Sequence, residues 1–429
     1  MSVEYEIQGL PISSIAQRFG TPLYVYDGEV LRQVYQELRG LLTPQVELFY
    51  SLKANPNISI VNMLREMGAR AEVCSLAELH TAVEAGVDPQ HIIFLGPGKS
   101  DAEITACIRY GIYAIVTESF QELERIEEIA AHEGRMMSVA LRVNPSFSVK
   151  GSRLTMGGKP RQFGIDEQSV LQGKEQFEKY THIEIMGLHV YMGTRMLEIE
   201  PIVENTRHIL ELAERVENEL DITLRMVDVG GGLGVPYHEG EQFLDISELT
   251  EQLNPMFESF QRSHKNTRLF MELGRYLVGT CGMLVSRALY VKPSYGENFV
   301  VTDGGTNCHM AAVGTGSYVK RNFPIASLTR YGETPEAEYN ITGPLCTPND
   351  VVGKRVSLPP VEQGDLLGVF HSGAYGPTAS PTHFLSHGSP AEVLIVGGEA
   401  FLIRERDTPE DLLGKQRLVQ VSPTPITNG

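Results

Sequence analysis

The chain predicts an α/β fold: a closed (β/α)8 barrel of the TIM type, followed by a second domain of antiparallel β-structure. Three observations carry that expectation. Residues 46–275 repeat one unit eight times: a short apolar run, a polar or glycine-rich stop, then an amphipathic segment. Such alternation implies parallel strands with helical crossovers, and eight units in one stretch suit closure. After about residue 280 the helical patterns thin out and strand-like runs follow one another. Finally, 429 residues with 42% hydrophobic side chains are enough for a barrel and an appendage. An open doubly wound sheet is the alternative on pattern alone.

The eight runs are "VELFYSLK", "AEVCS", "HIIFLGP", "YAIVTES", "SVALRVNP", "IMGLHVYM", "MVDVGGG" and "LFMELGR". Between the first five lie "ISIVNMLREMG", "LAELHTAVEAG", "DAEITACIRYG" and "FQELERIEEIAAHEG". These show apolar positions at three- and four-residue spacing and finish at a glycine, as helices do. Ser75 with Glu78, and Ser100 with Glu103, have capping-box spacing. Beyond the barrel, "GMLVSRALYVK", "ENFVVTDGG", "YNITGPLC", "DLLGVFHSGAYG" and "AEVLIVGGEAFLIRER" read as strands. The last is a hairpin turning at Gly397-Gly398. "TPLYVYD" precedes the barrel and is a strand able to pair with either domain.

Composition excludes several function classes. The formal net charge is −18, from 36 basic and 54 acidic residues, which opposes binding to nucleic acid or an anionic membrane. No apolar stretch approaches the roughly 18 residues of a membrane helix. The acidic start "MSVEYEIQGLP" has neither the basic region nor the apolar run of a signal peptide. A soluble, cytoplasmic protein is expected. Five scattered cysteines without C-x-x-C argue against a disulfide scaffold, and the 12 histidines form no ligand pair, so no metal is expected.

In a (β/α) barrel the C-terminal strand ends build the active site. Read in order, those ends carry Lys53, then Glu72 and Ser75, then Arg142 and Asn144, His189, Gly230-Gly231-Gly232, and Glu272 with Arg275. A bare glycine triplet lets successive backbone N–H groups surround an anion, although a plain tight turn uses the same residues. Glu272 at a buried strand end needs a partner. Arg275 is one reading, and a protonated ring nitrogen of a ligand is the other. His189 on its own reads as a core histidine satisfied by backbone. Lys53 closes a strand either as a surface lysine or as a rigidly held nucleophile. Together these parts suit pyridoxal phosphate, which requires an amine for its aldehyde, an anion cradle and an acid at its ring nitrogen.

The ordered motifs resemble those of the fold-type III pyridoxal-phosphate decarboxylases, which include the diaminopimelate, ornithine and arginine decarboxylases. "YSLKANPN" is similar to the family's cofactor-lysine motif, which makes Lys53 the Schiff-base lysine. "GLHVYMGT" implies that His189 stacks on the cofactor ring. "VDVGGGLGVPY" matches the phosphate loop, Gly230 to Gly232. "ELGRYLVG" resembles the family's E-P-G-R, with Leu273 where proline is usual; it implies Glu272 at the pyridine nitrogen and Gly274 and Arg275 near the phosphate. "GPLCTPNDVV" resembles the segment that supplies a cysteine from the partner subunit, implying Cys346 as proton donor to the α-carbon; a small buried hydrophobe is its other reading. "SGAYG" implies Tyr375 at phosphate and substrate. The resemblance also implies a homodimer and an alanine racemase-like barrel over residues 27–278. Residues 1–26 and 279–429 would then form a β-barrel domain joined by the first strand.

The departures bear on substrate. Members acting on free diamino acids usually carry an acid directly after the cysteine, and here Thr347, Pro348, Asn349 and Asp350 follow. Thr306-Asn307-Cys308-His309 stand where substrate-recognising residues are expected. Without an acid beside Cys346, a cationic distal group loses its obvious partner. "GPLCTP", "MGGKPRQFG", "HVYMGT" and "GGGLGVPY" look similar to the butirosin-pathway branch, which decarboxylates a glutamyl thioester of an acyl carrier protein in antibiotic biosynthesis. That likeness implies an acyl-carrier-protein partner. Lys150, Arg153, Lys159 and Arg161 are then a candidate docking patch, with a solvated loop as the alternative. Arg142, Thr347, Asp350 and Tyr375 are candidate substrate residues. Rival readings are a decarboxylase of free diaminopimelate, ornithine or lysine, a racemase of the same fold, and a non-catalytic regulatory homologue. The last tends to lose the lysine or the cysteine, and both are present.

Overall fold

In a computed structural model, residues 3–147, 154–155, 158, 160–314 and 321–420 are described. Eight parallel strands close a barrel: Val46–Ser51, Arg70–Val73, Ile92–Phe94, Ala114–Thr117, Met137–Asn144, Ile183–His189, Met226–Gly231 and Arg268–Leu273. Leu269 to Leu273 pair with Val46 to Tyr50, and Ile115 to Thr117 pair with Val139 to Leu141, so the sheet has no free edge. All eight apolar runs are barrel strands, and the open-sheet alternative is excluded.

The strands form where they do because alternate side chains fill the lumen. Phe49, Ile93, Val116, Ala140, Met186, Met226 and Phe270 pack there as one buried cluster, with the Phe49 and Phe270 rings 4.3 Å apart. Truncating either phenylalanine to alanine costs about 3–5 kcal/mol. The opposite strand faces meet the helices Ile58–Glu66, Leu76–Glu84, Asp101–Tyr110 and Phe120–Glu133. Ser100 and Glu103 form a complete capping box. Ser75 and Glu78 form half of one: the Ser75 hydroxyl accepts from Glu78 N, but the Glu78 carboxylate turns to Cys74 N at 2.8 Å.

A second, nine-stranded sheet follows. Its long strand Gly282–Ser294 pairs antiparallel with Leu23–Asp27, Glu297–Thr302 and Leu366–Val369. Leu23–Asp27 lies between Gly282–Ser294 and Ala391–Val396, so the strand that precedes the barrel in sequence belongs to this sheet. Two of its pairings, Leu23–Asp27 with Ala391–Val396 and Glu297–Thr302 with Ala337–Thr342, are parallel, and the rest are antiparallel, in keeping with the mostly antiparallel domain expected. Ala391–Val396 and Glu399–Arg404 form the expected hairpin, with Gly397 and Gly398 at φ 59° and 74° as a type I′ turn requires. Among the described residues no helix is long and apolar enough to cross a membrane.

Candidate active site

Lys53 stands in a single 3-10 turn, Leu52–Ala54, directly after the first barrel strand. Its Nζ donates to Glu72 Oε1 at 2.9 Å. Glu72, on the adjacent strand, is completely buried, and the Cys74 thiol shares the same oxygen at 3.1 Å. Burial pulls the Lys53 pKa down, but Glu72 first, then Cys74, Glu272 and Tyr191, outweigh it and hold it well above the ordinary lysine value. The Tyr191 ring centroid lies 5.6 Å from Nζ.

Across the barrel mouth, Glu272 meets an imidazole. His189 Nε2 lies 3.3 Å from Glu272 Oε1, both side chains sealed from solvent, although the pair is out of hydrogen-bonding alignment. The reading that paired Glu272 with Arg275 is corrected. Arg275 Nη1 donates to Tyr237 Oη at 2.9 Å, and its guanidinium lies 4.5 Å over the Tyr375 ring. Asp228, which the sequence reading passed over inside an apolar run, is the third member of this cluster. The functional atoms of His189, Asp228 and Glu272 lie within 4.8 Å of one another. Burial raises Glu272, but His189, then Lys53 and Arg142, draw it down to about 2. Burial, then the charge of Glu272, push Asp228 well above the ordinary carboxylate range.

Gly230 and Gly232 adopt left-handed φ values of 68° and 87°. A Cβ on Gly231 would sit 1.6 Å from the Glu272 carbonyl oxygen, and one on Gly232 would sit 2.1 Å from that of Gly193. No other residue type fits this path. Gly274 is similarly closed, its missing Cβ 2.8 Å from that of Ala54. Gly232, Gly274 and Arg275 line one cavity with Lys53, Glu272, Thr194 and Tyr375. Tyr375 itself has φ 55°, held there by its N–H donating to Ala54 O at 2.7 Å.

A family model described as "Pyridoxal-dependent decarboxylase, pyridoxal binding domain" matches residues 28–279, more than half of the chain. The chain belongs to this family. Among curated relatives, an L-glutamyl-[BtrI acyl-carrier protein] decarboxylase from Niallia circulans is 37% identical, covering 94% of this chain and 96% of the relative. A diaminopimelate decarboxylase from Archaeoglobus fulgidus is 32% identical over 96% of each. The diaminopimelate decarboxylase of M. jannaschii in complex with L-lysine superposes with a TM-score of 0.89 at 29% identity, covering 97% of this chain and 96% of that one.

Pyridoxal phosphate is the decarboxylase family's cofactor, and the residues present fit it. Both Glu272 oxygens and Arg275 Nε are buried without a hydrogen-bond partner, as an acid awaiting a ring nitrogen and a guanidinium awaiting an oxyanion would be. The glycine path beside them has no side chain to obstruct a phosphate.

The other candidate residues are engaged by partners of their own or lie away from the Lys53 cavity. Arg142 pairs with Glu118, Nη1 to Oε1 at 2.8 Å, and not with Glu72; Glu118 Oε2 accepts from Gly164 N. Asp350 is 2% exposed, and its oxygens accept from Thr306 N at 2.6 Å and Leu345 N at 2.8 Å. Gly305 and Gly343 leave it room, since a Cβ on either would strike the carboxylate. The Asp350 carboxylate thus braces the loop that carries Cys346. Cys346 is exposed, Thr347 half-buried, and neither lines the Lys53 cavity. His309 is fully buried against Tyr24 and Phe323, and burial lowers its pKa to about 3. Of the basic loop, Arg161 is exposed; Lys150, Arg153 and Lys159 lie outside the described residues.

Proposed function

We propose that this decarboxylase removes the α-carboxylate of a glutamyl-type aminoacyl group carried as an acyl-carrier-protein thioester. One observation carries the substrate reading. The sole acid in the Thr347–Asp350 stretch is bound on both oxygens by backbone amides, so none is available beside Cys346 for a distal ammonium. The 37% identical relative, named for a carrier-bound glutamyl substrate, supports the same reading.

Lys53 would hold the cofactor's aldehyde carbon, Glu272 its ring nitrogen, His189 one ring face, and Gly230 to Gly232 with Gly274, Arg275 and Tyr375 its phosphate. Bound there, pyridoxal phosphate supplies an electron sink for the pair left at the α-carbon when carbon dioxide departs. Glu72 holds the Lys53 ammonium until that amine is needed as a nucleophile, then takes up or relays its proton. Glu272, kept anionic by His189, holds a proton at the ring nitrogen. Cys346 of a second copy of the chain delivers a proton to the α-carbon. A homodimer with shared sites follows, in which residues 27–278 form the cofactor unit and residues 1–26 and 279–429 lend the cysteine.

Two experiments test this. The cofactor-loaded protein is incubated with glutamyl carrier-protein thioester and, in parallel, with free diaminopimelate, ornithine, lysine and glutamate, and mass spectrometry reports loss of carbon dioxide. Loss from the thioester alone is expected, and turnover of a free diamino acid would overturn the substrate reading. Mixing Lys53→Ala and Cys346→Ala proteins, each deficient in forming the amine product, should restore amine formation, because one of the two sites in each mixed dimer is intact. Continued inactivity of a verified mixed dimer rules out shared sites.

A further inference from the structure

Asp228 ties together two parts of the site that the mechanism uses separately. Its carbonyl oxygen accepts from Val190 N at 3.1 Å, joining it to the chain just past His189. Its Oδ1 accepts from Gly230 N at 2.8 Å, which sets the first left-handed turn of the glycine path. Its Oδ2 is buried, has no protein hydrogen-bond partner, and stands in the cluster with Glu272 and His189. The residue is completely inaccessible to solvent.

Two buried carboxylates this close, with a single imidazole beside them, disfavour a second negative charge. The charged groups around the pair decide which one keeps the proton. His189, Lys53 and Arg142 favour the anion at Glu272, whereas Glu272 and Glu72 both oppose an anion at Asp228. Glu272 is also the one that must be anionic to hold a ring-nitrogen proton.

We propose that Asp228 is a positioning residue that works as a neutral acid: it orders the glycine path through Gly230 N and keeps Glu272 the sole anion of the cluster. Asparagine reproduces both properties, an acceptor for Gly230 N and no charge. Alanine removes the acceptor and strands a buried N–H.

The readout is the dissociation constant of pyridoxal phosphate for the apoprotein, followed by absorbance across a pH series. Asp228→Asn should keep the constant within about three-fold of wild type, while Asp228→Ala should weaken it roughly ten-fold or more. Glu272→Gln, in contrast, should weaken binding and shift the pH at which the bound cofactor's absorbance changes, whereas Asp228→Asn leaves that pH in place. The reverse pattern, with Glu272→Gln tolerated and Asp228→Asn not, would show that Asp228 is the anion and overturn the assignment. Equal effects of Asn and Ala at 228 would show that a neutral acceptor for Gly230 N does not account for the residue's role, and would overturn the assignment. Because the readout is cofactor binding, it stands independently of which amino acid is the substrate.

Discussion

The two ends of the same barrel strands carry charged residues of similar type and treat them in opposite ways. At the N-terminal ends, Arg268 grips Glu47 through two 2.7 Å hydrogen bonds while its guanidinium lies 4.1 Å over the Tyr113 ring. Arg70 pairs with the same Glu47 from the next strand. Both Glu47 oxygens are thus engaged by cations, although Arg70 Nη1 is itself buried without a hydrogen-bond partner. At the C-terminal ends, Glu72 Oε2, Asp228 Oδ2, both oxygens of Glu272 and both ring nitrogens of His189 are buried without a hydrogen-bond partner. Strand Arg268–Leu273 contributes a satisfied arginine to one end and an unsatisfied glutamate to the other. A folded protein tolerates such orphaned groups where a ligand completes them. The lower end is built for stability, the upper end for binding.

The largest test of that contrast is Lys53→Ala, which should abolish carbon dioxide release and covalent retention of the cofactor. Retained release would remove the upper end's central group from the reaction. Glu272→Gln comes next: at temperatures where the protein stays folded, kcat/KM should fall on the order of 100-fold or more, well beyond any loss of melting temperature from taking the anionic partner away from His189. A melting temperature that falls in step with activity would place Glu272 among the structural groups instead. Arg268→Ala should behave oppositely, costing about 1.5–3 kcal/mol of stability through its lost charged hydrogen bonds, with kcat/KM unchanged at temperatures where the protein is folded. Loss of turnover without loss of melting temperature would break the comparison.

The smallest effect concerns pH. Lys53 has a folded-state pKa raised above its unfolded value, so the Glu72–Lys53 pair contributes stability that is full below the ordinary lysine value and is lost as pH rises through the folded one. The melting-temperature gap between apoprotein and Glu72→Gln should therefore stay constant between about pH 6 and 9 and close only at stronger alkalinity. The gap for Arg268→Ala should persist, because a guanidinium stays charged. A Glu72 gap that closes near neutrality would mean that Lys53 is already a free amine there.

How much of this was legible in the chain depends on whether the signal is local. Every barrel strand, the four helices and the Gly397-Gly398 turn follow from periodicity and turn chemistry within a dozen residues. Lys53, His189, the glycine triplet and Glu272 were found because a strand end is a position that can be counted. Asp228 was missed because, inside "MVDVGGG", it looks like one polar residue in an apolar run, although an aspartate two residues before a left-handed glycine is itself a turn signal. Arg275 was paired with Glu272 by nearness in sequence, yet successive side chains around a strand end diverge, and Glu272 turned instead to the neighbouring strands.

The amino-acid order alone therefore determined the element sequence, the parallel barrel, and which chemical groups stand at its mouth, because hydrophobic period and strand termination are properties of short segments. Only the tertiary structure decided the partnerships. Glu272 with His189, Arg142 with Glu118, Asp350 with the amides of Thr306 and Leu345, and Leu23–Asp27 between strands more than 250 residues later in the chain are all contacts between distant segments. Strand register and shared desolvation select those partners, and neither can be read from a segment in isolation.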